Sequence, residues 1–372
     1  VQVAYKFGVI SADSHLSITN DKLLAHVPAK LQDVAKEFLA ANTGNPIGSS
    51  GTGQTSEDEH FWPAMGRVGI YDPVERMKDM DIDGIDVEIM YTQGDAYMMP
   101  AGDPPAIDGM AFLGHPDQDA RLPLIQAYND ALAEWIDVGA GRLYPVGIVP
   151  LDSLDQAVAE IRRLGSMGFK GVRIQATPPK GDRPFWDEKW NSLWEAAIET
   201  DQPIHLHLGA GFEGLVGLED PLPGRPLFKS LPPIMMSMVL GSFLLYGPAK
   251  TFPELKVGFV EAGIGWIPYY LERLDTMWRR HSYRERHATN EPPSTYWHRN
   301  CFGTFEDDQA GVRCIDLMGP TTIMWASDYP HPDSTYPESH KVIENHFSKI
   351  TPEQKRLVTF ENARRVYSLP EA

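Results

Sequence analysis

The chain has 372 residues, 42% of them hydrophobic, and a formal charge of −18; this supports a large core and one barrel-sized domain over residues 1–372. The acidic balance excludes the phosphate-neutralising surface of a nucleic-acid binder and speaks against an anionic membrane as partner, and no run approaches the roughly 20 apolar residues of a membrane span. Cys301 and Cys314 are the only cysteines, which excludes a disulfide scaffold or a thiolate-rich metal site, and the N-terminal residues lack the pattern of a secretory leader, so a cytoplasmic location is expected.

In chain order, short β-branched runs alternate with longer amphipathic ones. Strands are expected at 7–11 (FGVIS), 84–91 (GIDVEIMY), 142–150 (RLYPVGIVP), 171–176 (GVRIQA), 203–208 (PIHLHL), 255–260 (LKVGFV), 300–305 (NCFGTF) and 322–327 (TIMWAS). Helical spacing of apolar residues marks 124–138, 154–168, 187–200 and 265–280. Eight strands interleaved with helices predict an α/β fold, a distorted (β/α)8 TIM barrel; an open doubly wound sheet is the rival, but no glycine-rich phosphate loop follows the first strand. Two long insertions follow strands one and two, at 16–72 and 92–120, as lid or subunit-contact segments. The glycine- and serine-rich run at 42–60 reads as a mobile loop or an arm, and His115 is expected at the surface.

In a parallel barrel the C-terminal strand ends converge on one pocket. Asp13 and His15 end the first strand and leave it on one face, because strand side chains alternate. His205 and His207 end the fifth, Glu261 the sixth and Asp328 the eighth, with His331 just beyond. Each motif alone has an ordinary explanation: an aspartate capping a turn, a buried histidine bonded to backbone, an Asp-Tyr-Pro turn. Four unrelated strand ends carrying ligand-type side chains point jointly to a divalent metal site. Arg173 and Gln175 share a side of strand four and are candidates to touch substrate or back the ligands, as is His205.

The Asp-x-His of strand one, GFKGVRI at strand four, PIHLHLG at strand five, MWASDYPHPDSTYP at strand eight and RMKDMDIDGIDVEIMY at 76–91 together resemble the amidohydrolase-2 family, which includes aminocarboxymuconate semialdehyde decarboxylase-like enzymes. The resemblance runs from about residue 7 to residue 367. It implies a metal-dependent barrel with Asp13, His15, His207 and Asp328 as ligands. The family often has a histidine after strand six, where this chain has Glu261.

The leading expectation is a hydrolase acting on a small polar or carboxylated molecule through a metal-activated water. Zinc or manganese is the expected cofactor, with iron as a further option; Asp328 or Glu261 would accept the proton and His331 would orient or donate. The alternative is a nonoxidative decarboxylase of an aromatic or unsaturated acid. A dinuclear iron or manganese oxygenase, or a non-catalytic subunit of one, is a further reading. A homodimer or higher oligomer is expected, or a hetero-oligomer with a related chain.

Overall fold

The computed structural model describes the chain except residues 1–4, 43–62, 65, 93–105, 208–229, 285–288, 332 and 372. Eight strands form its centre: β1 (Ile10–Ser11), β2 (Val87–Thr92), β3 (Leu143–Pro145, resumed at Gly147–Ile148), β4 (Val172–Ile174), β5 (Ile204–His207), β6 (Val257–Val260), β7 (Cys301–Phe305) and β8 (Ile323–Trp325). Each falls inside or within a residue of its expected run.

Neighbouring strands are parallel from β1 through β8, with Ile10 opposite Val87, Val172 and Val257 flanking Ile204, and Gly303 opposite Ile323. The ring closes where the Ala12 amide donates to the Trp325 carbonyl at 3.1 Å. The interruption of β3 at Val146 lets its first piece pair with β2 and its second with β4.

Alternation along the strands makes two cores. Ile10, Ile89, Tyr144, Val260, Phe302 and Met324 point inward and fill the barrel, which is therefore not a pore. Val172, Ile174, Ile204, Leu206, Val257 and Phe259 point outward into a larger core. Residues of the surrounding helices complete it, among them Leu124 and Leu132 of Gln118–Gly139, and Ile161 and Leu164 of Leu154–Ser166. Phe360, Ala363, Val366 and Tyr367 enter the inner cluster from the end of the chain, and the Tyr367 ring meets Phe302 and His205.

The first insertion carries helices Asn20–His26 and Gln32–Asn42, and its strand Ile18–Thr19 pairs antiparallel with Ala106–Ile107 of the second. The two insertions thus share a ribbon beside the C-terminal strand ends. Apart from Asn42, the glycine-rich run at 42–60 lies outside the described residues. His115 corrects the sequence expectation: it is buried, its ring 4.8 Å from that of Phe38, because helix Gln32–Asn42 folds back over the second insertion. Among the described residues no helix is long and apolar enough to cross a membrane.

Candidate metal centre

Asp13, His15, His207, Glu261, Asp328 and His331 meet at the C-terminal ends of the strands. His15–Leu16 continues the line of β1, with His15 opposite Tyr91 of β2. Arg76, fully buried on helix Pro73–Asp83, donates to the His15 carbonyl at 2.8 Å and to the Glu88 carboxylate at 2.6 Å. Its guanidinium also lies 3.9 Å from the centre of the Tyr329 ring. One arginine thereby ties the segments that follow β1 and β8 to the start of β2.

The β1 and β8 ends are further laced by serines. Ser327 donates its amide to Ser11 Oγ at 2.8 Å, and Ser11 Oγ–H donates to the Asp13 carbonyl at 2.8 Å. Asp328 follows Met324 and Ala326 in the inward alternation. Glu261 does not follow its strand's alternation: Val260 already faces inward, and a left-handed backbone at Glu261 (φ 60°) brings its carboxylate toward His207 and His331. Asp328 is also left-handed (φ 53°), and such backbone in a residue other than glycine costs about 1–3 kcal/mol. The loop after Glu261 is held by Asp308, which accepts from the amides of Ile264 and Gly265 at 2.7 and 2.6 Å. A side chain at 265 would bring its Cβ to 2.8 Å from Asp308 Oδ1, so only glycine fits there without displacement.

The donor spacing fits a divalent metal ion. Asp13 Oδ1 stands 3.6 Å from Nε2 of both His15 and His207, and His15 Nε2 stands 3.0 Å from Asp328 Oδ1. Donors around one ion at bonds of about 2.1 Å lie about 3.0–3.4 Å apart, so small adjustments bring these atoms onto one centre. Asp13 is fully buried and neither of its oxygens accepts a hydrogen bond. A buried carboxylate without donors is costly, and a cation removes that cost.

A second set of donors overlaps the first. Asp13, His15 and His207 each bring one donor atom within 4.8 Å of the others, and so do His15, Glu261, Asp328 and His331. His331 Nδ1 lies 2.9 and 3.0 Å from the two oxygens of Asp328 and 3.4 Å from Glu261 Oε1. Its ring stacks on that of His15 at 4.0 Å.

Charge separates the groups by environment. Burial, reinforced by Asp328 and Glu261, holds the Asp13 carboxyl well above its usual range. Burial also acts on Asp328, but His331 and the hydrogen bonds from His15 and His331 outweigh it and hold Asp328 well below that range. Burial is likewise outweighed at Glu261, which His331 and His207 bring down to about 2. His15 falls to about 3, through burial and then His331. Burial opposes charging of His331, yet Asp328 and Glu261 raise it well above the ordinary imidazole value.

The remaining candidates sit around this centre. His205 is fully buried one inward position below His207, with Nε2 3.2 Å from the Tyr367 hydroxyl, so it belongs to the barrel filling. Arg173 lies opposite His205 in the β4–β5 register and is nearly buried at that lower level. Gln175, two residues on, is partly exposed at the end of β4.

Two residues complete the surroundings that the sequence reading passed over. Glu306 directly follows β7 in the inward alternation of Phe302 and Thr304, and its buried Oε1 has no hydrogen-bond partner. Its carboxyl is held well above the usual range by burial and then by Asp328, Asp13 and Glu261. Tyr91, near the end of β2, lays its ring 4.5 Å from that of His207. Reading the ends of strands two and seven with the same rule as the others would have found both.

Comparison with known proteins follows the same outline. Residues 57–369 match the amidohydrolase family. No curated protein matches the sequence. Among solved structures, 5-carboxyvanillate decarboxylase from Sphingomonas paucimobilis is similar at 19% identity and a TM-score of 0.70, over 98% of this chain and 100% of that one. An amidohydrolase from Mycobacterium avium subsp. paratuberculosis is similar at 18% identity and 0.72, again over 98% and 100%. A dihydroxybenzoic acid decarboxylase from Polaromonas, solved with manganese and 2-nitroresorcinol, is similar at 18% identity and 0.66, over 98% of both chains. At these identities the likeness to solved structures speaks for the barrel fold.

Proposed function

The chain belongs to the amidohydrolase family, and from that premise we propose that it is a divalent-metal-dependent, nonoxidative decarboxylase of a small hydroxylated aromatic acid. Asp13, His15, His207 and Asp328 would hold the ion, with manganese or zinc favoured by the mixed oxygen and nitrogen donors. When bound, the ion supplies a positive charge that anchors an anionic substrate and stabilises negative charge developing on it.

The observation that carries the reading is the His331–Asp328 contact, with Nδ1 2.9 and 3.0 Å from the two oxygens. In this reading His331 is the proton donor beside the residues that would hold the ion. Decarboxylation needs such a donor: a C–H bond forms with the proton, the bond to the carboxylate breaks, its electron pair restores the ring, and carbon dioxide leaves. Asp328 steadies the imidazolium before transfer, and the ring is reprotonated from solvent afterwards. The similarity to decarboxylases of 5-carboxyvanillate and dihydroxybenzoic acid supports the same chemistry.

Hydrolysis, the leading expectation from sequence, is the second reading. It is favoured by Glu261, an ionised carboxylate able to take a proton from water. Turnover of hydroxybenzoate-type acids by manganese-loaded protein in deuterium oxide separates the two. Decarboxylation yields carbon dioxide and one deuterium at the carbon that carried the carboxylate. Ester, lactone or amide cleavage with oxygen-18 entering from water, and no carbon dioxide from any acid, would replace this reading with the hydrolase.

A further inference from the structure

Glu306 follows β7, between β6 with Glu261 at its end and β8 with Asp328, and the metal centre leaves it unused. Neither of the two donor groups gathered there includes it. Its Oε1 is sealed from solvent and has no hydrogen-bond partner. The backbone around it, by contrast, is pinned on both sides. Thr304 Oγ1 accepts from the Glu261 amide at 3.1 Å, and the Phe305 carbonyl accepts from the Ala326 amide at 2.9 Å. Asp308 accepts from the amides of Ile264, Gly265 and Gly311 at 2.7, 2.6 and 2.8 Å. The fold fixes where this carboxyl stands and gives its buried oxygen nothing to bind.

We infer that Glu306 is a specificity-determining residue whose buried oxygen takes a hydrogen bond from a hydroxyl group of the substrate. An acceptor shut away from water is costly until a donor reaches it. A neutral and an ionised carboxyl both offer such an acceptor, so the role does not depend on the charge of Glu306. Its surroundings select the donor. Burial, and then Asp328, Asp13 and Glu261, hold the Glu306 carboxyl well above the usual range. The same crowd of carboxyls turns the substrate's own carboxylate away from the end of β7. In a hydroxylated aromatic acid the donor that remains is a ring hydroxyl. A site built to bond a hydroxyl rejects the analogue that lacks it, because the protein's own polar group is then left unpaired. Glu306 thus sorts hydroxylated acids from plain ones and fixes which edge of the ring faces β7.

The inference rests on the decarboxylase reading for the class of substrate. Calorimetric titration of the manganese-loaded full chain tests it, with benzoate and its 2-, 3- and 4-hydroxy and 2,6-dihydroxy derivatives as probes. Wild type is compared with Glu306→Gln, Glu306→Met and Glu306→Ala. Wild type is expected to bind at least one hydroxylated acid about 10–100-fold more tightly than benzoate. Glu306→Gln keeps an acceptor and should retain most of that preference. Glu306→Met and Glu306→Ala should lose it, with benzoate bound as well as before or better and manganese stoichiometry unchanged. Glu306→Met keeps the length of the side chain and decides the matter if Glu306→Ala does not fold. Urea midpoints of the metal-free variants should match or exceed wild type, since no bond at Oε1 is removed.

No preference for a hydroxyl in wild type, a preference that survives in Glu306→Met, or manganese lost with that variant would overturn the inference. So would lower midpoints in both Glu306→Gln and Glu306→Met, which would make Glu306 part of the fold's own bonding. Carbon dioxide release is measured separately. None from any acid, with a hydroxyl preference that still depends on Glu306, would sink the decarboxylase reading alone. Release with a preference indifferent to residue 306 would sink the inference alone.

Discussion

The amide of Asp328 donates to the carbonyl of Asp13 at 3.1 Å, so the carboxylates of the first and last barrel strands are spaced by a backbone hydrogen bond. Their side chains take opposite parts: Asp328 is held by His15 and His331, whereas Asp13 has no donor at either oxygen. Asp13 is thus the group that a cation would satisfy most.

Asp13→Asn is accordingly expected to abolish stoichiometric manganese binding while raising the stability of the metal-free protein by on the order of 1 kcal/mol, because burial beside Asp328 and Glu261 forces Asp13 to hold a proton on folding and asparagine carries no such cost. Elemental analysis and urea denaturation of metal-free wild type and variant check both halves. A metal-free variant less stable than wild type would show that Asp13 has a donor in solution.

Metal binding is expected to weaken as pH falls and to release protons. Asp13 and His331 hold their protons more tightly than free side chains do, whereas His15, brought down to about 3, is already neutral. The pH dependence should therefore come from Asp13, a proposed ligand, and leave His15 silent, while His331 keeps its proton as the proposed donor. Calorimetric titration of manganese in buffers of different ionisation enthalpy measures the number released; zero at neutral pH would contradict the assignment. At a hundredfold excess over the dissociation constant, manganese should stabilise the fold by about 2.7 kcal/mol.

Arg76→Met is expected to cost about 3–5 kcal/mol, since Glu88 would be left buried without its cation and the His15 carbonyl would lose its donor. Adding Glu88→Leu should recover part of the loss in denaturant midpoint. No recovery would place the cost in the His15 and Tyr329 contacts instead.

Asp83 provides a pH signal away from the centre. It is buried, accepts from the amide and hydroxyl of Ser339 at 2.9 and 2.6 Å, and burial raises it from 3.8 to about 6. A folded value above the unfolded one means the contribution to stability is complete below about pH 4 and is lost as pH rises through about 6. The full difference is about 3 kcal/mol. The stability of wild type relative to Asp83→Asn should fall over this window; a flat difference would show Asp83 ionised throughout.

Much of this centre was legible in the sequence, because strand-end position and side-chain type are both one-dimensional signals. Asp13, His15, His207 and Asp328 were named from them, and the structure brings their donors together. His205 and His207 look alike in the sequence, and only the depth of the barrel, where the Tyr367 hydroxyl waits below, separates them. Glu261 was identified but its approach to two imidazoles was not, because that depends on a left-handed backbone that no spacing rule encodes. Arg76 was missed for a related reason: it lies in the first turns of a helix, and its reach to segments of three strands is a tertiary fact.

The closing bond between Ala12 and Trp325 also fixes an order of events. His15 and Asp328 are 313 residues apart along the chain, so the site does not exist until the last strand has been made and docked against the first. A ribosome must release nearly the whole barrel before an ion has anything to bind. Under the metal-dependent reading, an ion would therefore act as a latch on a finished fold, and metal-starved cells should accumulate a folded, empty protein in place of an unfolded one.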